Sequence, residues 1–119
     1  MTEENDLERF TTRVSRPQDF EDFWQRAKTE LAQMPLEPKV SPVALRSNEN
    51  VLVYQAEYKS LGSLDIAAWY CVPTQGEGPF PAIIIFPGYK GEPGLRRDWG
   101  SKGVITLSIA VRGKLRSNS

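Results

Sequence analysis

Gly78-Pro79-Phe80-Pro81-Ala82-Ile83-Ile84-Ile85-Phe86-Pro87-Gly88-Tyr89 is the stretch on which the fold class turns. A Gly/Pro-rich loop, Gly76 to Pro79, leads to Pro81. From there Ala82 to Phe86 is apolar without alternation. A strand with one wet face alternates, whereas a strand buried on both faces does not, so the run reads as an inner strand of a covered sheet. Val104 to Val111 reads as a second such strand, less uniformly apolar. Parallel neighbours cannot be joined by a tight turn. Residues 87–103 between them are long enough for a short crossover helix, expected within Pro93 to Ser101. The unit predicted is a parallel β-α-β.

Upstream, Val51 to Tyr58 alternates, with Leu52, Tyr54, Ala56 and Tyr58 on one side and Val53, Gln55 and Glu57 on the other. Leu64 to Val72 aligns Leu64, Ile66, Ala68, Tyr70 and Val72. Ser60-Leu61-Gly62-Ser63 supplies a turn in which Gly62 can take a positive φ, so an antiparallel hairpin is expected. Earlier still, Phe20, Phe23, Trp24, Ala27 and Leu31 recur at helical spacing and form one apolar stripe, read as packing residues. Pro17 suits the first helical turn, and Asp19, Glu21 and Asp22 complement the partial positive charge there. Pro35 and Pro38 end the helix and open an extended linker. Residues 1–14 read as a polar, poorly ordered lead-in, and 15–119 as the N-terminal portion of a single domain. The sequence therefore predicts an α/β fold: an N-terminal helix, an antiparallel hairpin, then the parallel β-α-β unit. Many α/β-hydrolase sheets begin in this order.

Composition narrows the function classes. Among 119 residues, 39% are hydrophobic and 25% charged, as in soluble globular proteins. Fifteen basic residues balance fifteen acidic ones, which removes any bulk attraction for nucleic acid or anionic membrane. From Phe86 onward Lys90, Arg96, Arg97, Lys102, Arg112, Lys114 and Arg116 outnumber Glu92 and Asp98, an excess read as a solvated surface. The single cysteine, Cys71, sits in an apolar run and reads as a small buried hydrophobe. With no signal-like segment and no membrane-length apolar run, the expected location is the cytoplasm.

A further set of residues points to a family. Arg16-Pro17, Asp19-Phe20 and Phe23-Trp24 are followed by Tyr58, Ser60-Leu61-Gly62, Ile66-Ala67 and Trp69, and then by Val72-Pro73 and Gly78-Pro79-Phe80-Pro81-Ala82. Phe86-Pro87-Gly88-Tyr89 and Val111-Arg112-Gly113 complete the series. In this order and spacing they resemble the acetyl xylan esterase / cephalosporin-C deacetylase family, from Arg16 to Ser117. The resemblance implies a serine esterase that removes acetyl groups from small acetylated carbohydrates or similar esters, with no cofactor. It also implies a homo-oligomer for complete members. It places Tyr89 in the oxyanion loop, donating its main-chain N–H, with Gly88 and Lys90 beside the substrate pocket. Pro87 stands where the family usually shows histidine and Ala110 where it shows aspartate. Lys114-Leu115 replaces what is commonly a glutamine–glycine pair.

Ester hydrolysis on this scaffold needs an activated serine, a base with its orienting carboxylate, and donors for the oxyanion. No G-x-S-x-G occurs, Gly100-Ser101-Lys102-Gly103 being only superficially similar, and there is no Ser-x-x-Lys. The chain contains no histidine. No zinc-type ligand set or glycine-rich phosphate loop is present either. The triad is accordingly expected beyond Ser119, and the 119 residues alone are expected to be inactive. They are expected to form a truncated product, a fragment or one piece of a larger assembly, with the strands at Ile83–Ile85 and Val104–Ile109 leaving an unpaired apolar edge. Two other readings fit the same residues: the front of a dienelactone-hydrolase-like or peptidase-like enzyme, and a non-catalytic interaction module.

Overall fold

The structure, a computed structural model, describes residues 8–115 and 117. The first seven residues of the lead-in and Arg116 lie outside the described residues. The described elements are α1 (Phe20–Ala32), β1 (Lys39–Pro42), β2 (Val51–Ser60), β3 (Leu64–Pro73), β4 (Ala82–Ile85), α2 (Arg97–Gly100) and β5 (Ile105–Ile109). All five strands join one mixed sheet in the order β1-β2-β3-β5-β4. The β4–β5 pair is parallel, and every other pair is antiparallel.

The hairpin forms as its alternation predicts. Ser60 lies opposite Leu64 and Val51 opposite Pro73, with the turn Leu61–Ser63 closed by Gly62 at φ 74°. Beside the turn, the register pair Lys59 and Asp65 is joined by an ion pair of 2.6 Å. At the other end, Asn48 Oδ1 accepts the N–H groups of Asn50 and Val51, and Ser47 Oγ accepts that of Val53. These polar groups turn the chain into β2 without leaving its first donors unpaired.

Period two then separates two faces. Val53, Cys71, Thr106 and Ile83 stand in one row across the sheet, and Tyr54, Tyr70, Leu107 and Ile84 in the next, on the opposite face. On the first face Val51, Val53 and Cys71 are fully buried, with Val43, Trp69 and Leu95 packed against them. The short helix α2 approaches this face so closely that a Cβ on Gly100 would lie 2.8 Å from both methyls of Val51. The second face is open. Leu36, Val40, Tyr58, Tyr70, Ile84 and Phe86 line an apolar groove of about 410 Å³ on it. The Cα radius of gyration is 19.2 Å, against about 13.5 Å for a compact chain of this length.

Six features differ from the sequence expectation. Lys39–Pro42 is a strand paired with β2, not an unpaired linker. Prolines at both ends hide it from propensity, yet an edge strand tolerates them. The crossover helix spans only four residues, Arg97–Gly100, and residues 93–96 lead into it without helical structure. β4 stops at Ile85, before Pro87, and β5 spans only Ile105–Ile109 of the wider run. β5 lies inside the sheet, so the unpaired apolar edge belongs to β4 alone. Helix α1 begins at Phe20, with Pro17 in the preceding turn, where its carbonyl accepts the Phe20 N–H. Its stripe is not buried: Phe23 and Trp24 remain about half exposed, their ring centroids 5.4 Å apart, and Trp24 also meets Phe20 at 6.3 Å.

The close approach of α2 makes a direct stability prediction. Gly100→Ala should destabilise the chain by about 1–3 kcal/mol, because the added methyl overpacks a fully buried valine. In urea titrations followed by tryptophan fluorescence, Val51→Ala in the same chain should recover part of that loss, giving a non-additive double mutant.

Candidate functional site

Because β4 and β5 run parallel and side by side, the loops that leave their carboxyl ends emerge on one edge of the sheet. Open α/β sheets bind ligands at that edge. The loop after β4 forms a tight turn over Gly88 to Gly91, closed by a 3.0 Å hydrogen bond from the Gly91 N–H to the Gly88 carbonyl. Lys90 is the third residue of this turn and has φ 61°, whereas Tyr89 has no positive φ. This is the type II pattern, which requires a left-handed residue at that position. A Cβ on Gly91 would lie 3.2 Å from the Gly88 oxygen, closer than an ordinary van der Waals contact. A Cβ on Gly88 would meet nothing within 4 Å, which leaves open space beside the turn.

Tyr89 is 95% exposed at the tip. Its N–H has no hydrogen-bond partner among the described residues, and the Lys90 ammonium lies 5.7 Å from its ring centroid. The three residues singled out from the sequence, Gly88, Tyr89 and Lys90, are thus consecutive members of one solvent-facing turn. Among the described residues the N–H groups of Gly88, Tyr89 and Lys90 all have no hydrogen-bond partner, so the short, hydrogen-bonded loop offers a run of unpaired backbone donors with Tyr89 at its tip. Such a group can stabilise negative charge on an incoming oxygen, though it has no nucleophile or base among its described neighbours.

The loop after β5 leaves the same edge of the sheet. Ala110 is 2% exposed, and its N–H donates to the Ala67 carbonyl at 2.9 Å. Val111 to Lys114 forms a second turn, closed by a 3.0 Å bond from the Lys114 N–H to the Val111 carbonyl, with Gly113 at φ 74°. Leu115 follows at φ 56°, a left-handed conformation that costs a branched side chain about 1–2 kcal/mol. Ser117 Oγ then accepts the Ala67 N–H at 2.8 Å. Across the two loops, Glu92 Oε2 accepts the Leu115 N–H at 3.2 Å, and its Oε1 lies 3.5 Å from Lys114 Nζ. Sequence reasoning did not single out Glu92. Its only signal is its place directly after a glycine-closed turn, which says nothing about a partner 23 residues away.

Three of the described basic residues of the second half are engaged with separate partners. Arg96 makes two hydrogen bonds to Asp98, Lys114 pairs with Glu92, and Arg97 donates to the Arg46 carbonyl. The Arg96 guanidinium holds the Asp98 carboxyl below the usual carboxylate range. A group with a depressed folded-state pKa contributes above its ordinary pKa and loses that contribution as pH falls through the depressed one. This exposed pair therefore persists at neutral pH. Burial pushes the Cys71 thiol above its ordinary value. Next to it on the covered face the buried Thr106 hydroxyl interacts with the thiol and opposes that rise, and the Ser108 hydroxyl is buried without a hydrogen-bond partner among the described residues. Among the described residues no group of three or more His, Cys, Asp or Glu side chains is placed to hold a metal ion. No helix among them is long and apolar enough to cross a membrane.

Known proteins share both the sequence pattern and the architecture. The sequence model of the family described as acetyl xylan esterase (AXE1) matches residues 3–119. Acetyl xylan esterase 1 from Thermoanaerobacterium sp. JW/SL YS485 superposes with a TM-score of 0.86 at 24% identity. That match covers 97% of this chain and 37% of the other, and at that identity it speaks for the fold. The acetyl xylan esterase from Paenibacillus sp. R4 superposes with a TM-score of 0.83 at 26% identity, covering 97% of this chain and 38% of its own. The chain thus spans less than two fifths of the length of either structure.

Two measurements check the local geometry. Lys90→Gly should stabilise the chain by up to about 1 kcal/mol in chemical denaturation by relieving the left-handed strain, whereas Lys90→Ala should leave the midpoint unchanged. Cys71 should resist alkylation by iodoacetamide at pH 8 in the folded chain and react within minutes once denaturant is added.

Proposed function

This chain belongs to the acetyl xylan esterase family, and from that premise we propose that it forms the front of a serine carboxylic-ester hydrolase acting on small acetylated sugars or similar esters. The observation that carries the reading is the unpaired Tyr89 N–H on the turn that follows β4. When a serine attacks an ester carbonyl, the carbonyl oxygen gains negative charge, and amide donors fixed in advance lower that barrier without reorganising. In α/β hydrolases one such donor comes from the loop of this position and the second from the residue after the nucleophile. Gly88 and the Gly91 N–H···O bond fix the turn that carries the first donor, and Lys90 follows it in the same turn.

The remaining chemistry belongs to other residues. A serine needs a proton acceptor to become nucleophilic at neutral pH, and this sequence contains no histidine. The triad is accordingly assigned to sequence following Ser119, and these 119 residues to scaffold and one donor.

Purified residues 1–119 should show no saturable turnover of p-nitrophenyl acetate, and the full-length polypeptide carrying this segment should show it. In that polypeptide Tyr89→Pro removes the donor while suiting the second position of a type II turn. Its kcat should fall about 100- to 1,000-fold. Tyr89→Ala, which keeps the N–H, should stay within about tenfold of the parent. Equal losses in the two variants would refute the oxyanion assignment, and saturable turnover by the 119 residues alone would refute their division of labour.

A further inference from the structure

We infer that Glu92 is a positioning residue of the oxyanion turn, holding the Tyr89 amide in place by clamping the loop after β4 to the loop after β5. The inference rests on the role of Tyr89 proposed above and adds the device that orients it.

Glu92 follows Gly91 directly, so its backbone is the downstream anchor of the Gly88–Gly91 turn. Pro93, the next residue, is buried, which fixes that anchor from the other side. The carboxylate reaches across the sheet edge: Oε2 accepts the Leu115 N–H at 3.2 Å, and Oε1 faces Lys114 Nζ at 3.5 Å. Leu115 is itself held in a left-handed conformation, a state that persists only where surrounding contacts over-determine it. The next ties along the same loop are the bond from the Ser117 N–H to the Lys114 carbonyl and the bond from Ala67 N–H to Ser117 Oγ. The clamp thus runs from the oxyanion turn, through one carboxylate, to a segment fastened on β3.

Of the two contacts, the hydrogen bond carries the positioning. The Glu92 and Lys114 side chains are 58% and 36% exposed, and an ion pair so wetted contributes little. An acceptor on an amide N–H is directional, and losing it frees both loops at once. Small misplacements of a catalytic donor are expensive: about 1 Å can cost up to 100-fold in rate.

The test uses p-nitrophenyl acetate with the full-length polypeptide. Glu92→Ala should lower kcat about tenfold with KM within about twofold, whereas Glu92→Gln, which keeps an acceptor for the Leu115 N–H, should recover most of the loss. Lys114→Ala should change kcat less than twofold. If Glu92 acts through the Tyr89 amide, Glu92→Ala should add no further loss in a Tyr89→Pro background. Parental kcat in Glu92→Ala, an equally impaired Glu92→Gln, or fully multiplicative losses in the double variant would each overturn the proposal while leaving the esterase reading intact. A parent polypeptide without esterase turnover would instead remove the premise and the proposal with it. Faster exchange of the Leu115 amide in Glu92→Ala than in Glu92→Gln, read by NMR on residues 1–119, supports the clamp independently of activity; equal exchange in both counts against it.

Discussion

Parallel hydrogen bonding between β4 and β5 is the constraint from which the remaining geometry follows. Parallel neighbours have to be joined by a crossover that leaves the sheet and returns to its starting edge. Here the crossover is short, and α2 supplies only one helical turn of it. It lies on the sheet at van der Waals distance, which is why Gly100 meets Val51 with no room for a methyl group. The same pairing sends the loops after β4 and β5 out of one edge, so that residues 23 positions apart, Glu92 and Leu115, come within hydrogen-bond reach. An antiparallel pair would have sent those two loops to opposite ends of the sheet.

The two faces of the sheet are unequal in burial. On the face that α2 covers, Val51, Val53 and Cys71 are wholly removed from water, each aliphatic side chain contributing about 1.5–3 kcal/mol. On the other, Ile84 and Phe86 are 58% and 69% exposed beside Val40, and the α1 stripe is equally without cover. Solved acetyl xylan esterases with more than twice this length share the architecture, and β4 has the unbroken apolar pattern typical of strands contacted on both sides. Its continuous run Ile83-Ile84-Ile85 is legible as such even though the described residues cover only one of those sides.

The site depends on turns more than on side chains. Two tight turns, Gly88–Gly91 and Val111–Lys114, have the same closing hydrogen bond and the same left-handed third residue, Lys90 in one and Gly113 in the other. At both tips the amide N–H, Tyr89 in one and Arg112 in the other, has no partner among the described residues. Between them stands a carboxylate whose acceptor atoms are divided between a backbone N–H and a lysine. Backbone geometry of this kind survives side-chain replacement, which accounts for a recognisable loop despite Pro87 and Ala110 at flanking positions.

Sequence alone determined the parts set by local pattern. The alternation of Val51 to Tyr58 and Leu64 to Val72, with Gly62 between them, specified the hairpin; the unbroken apolar run specified β4 as a strand, though not its place at the exposed edge of the sheet; the Gly88-Tyr89-Lys90 turn and the family were legible in ordered motifs. The tertiary structure decided what depends on partners distant along the chain. Whether Lys39–Pro42 is a strand depends on β2, since a proline-flanked tetrapeptide has no strand propensity of its own. Whether α1 buries its aromatics depends on what packs against it, because spacing defines a stripe and not its neighbour. The Glu92–Leu115 contact arises only once two strands have paired in parallel, and a hydrogen bond spanning 23 residues leaves no periodic trace in sequence.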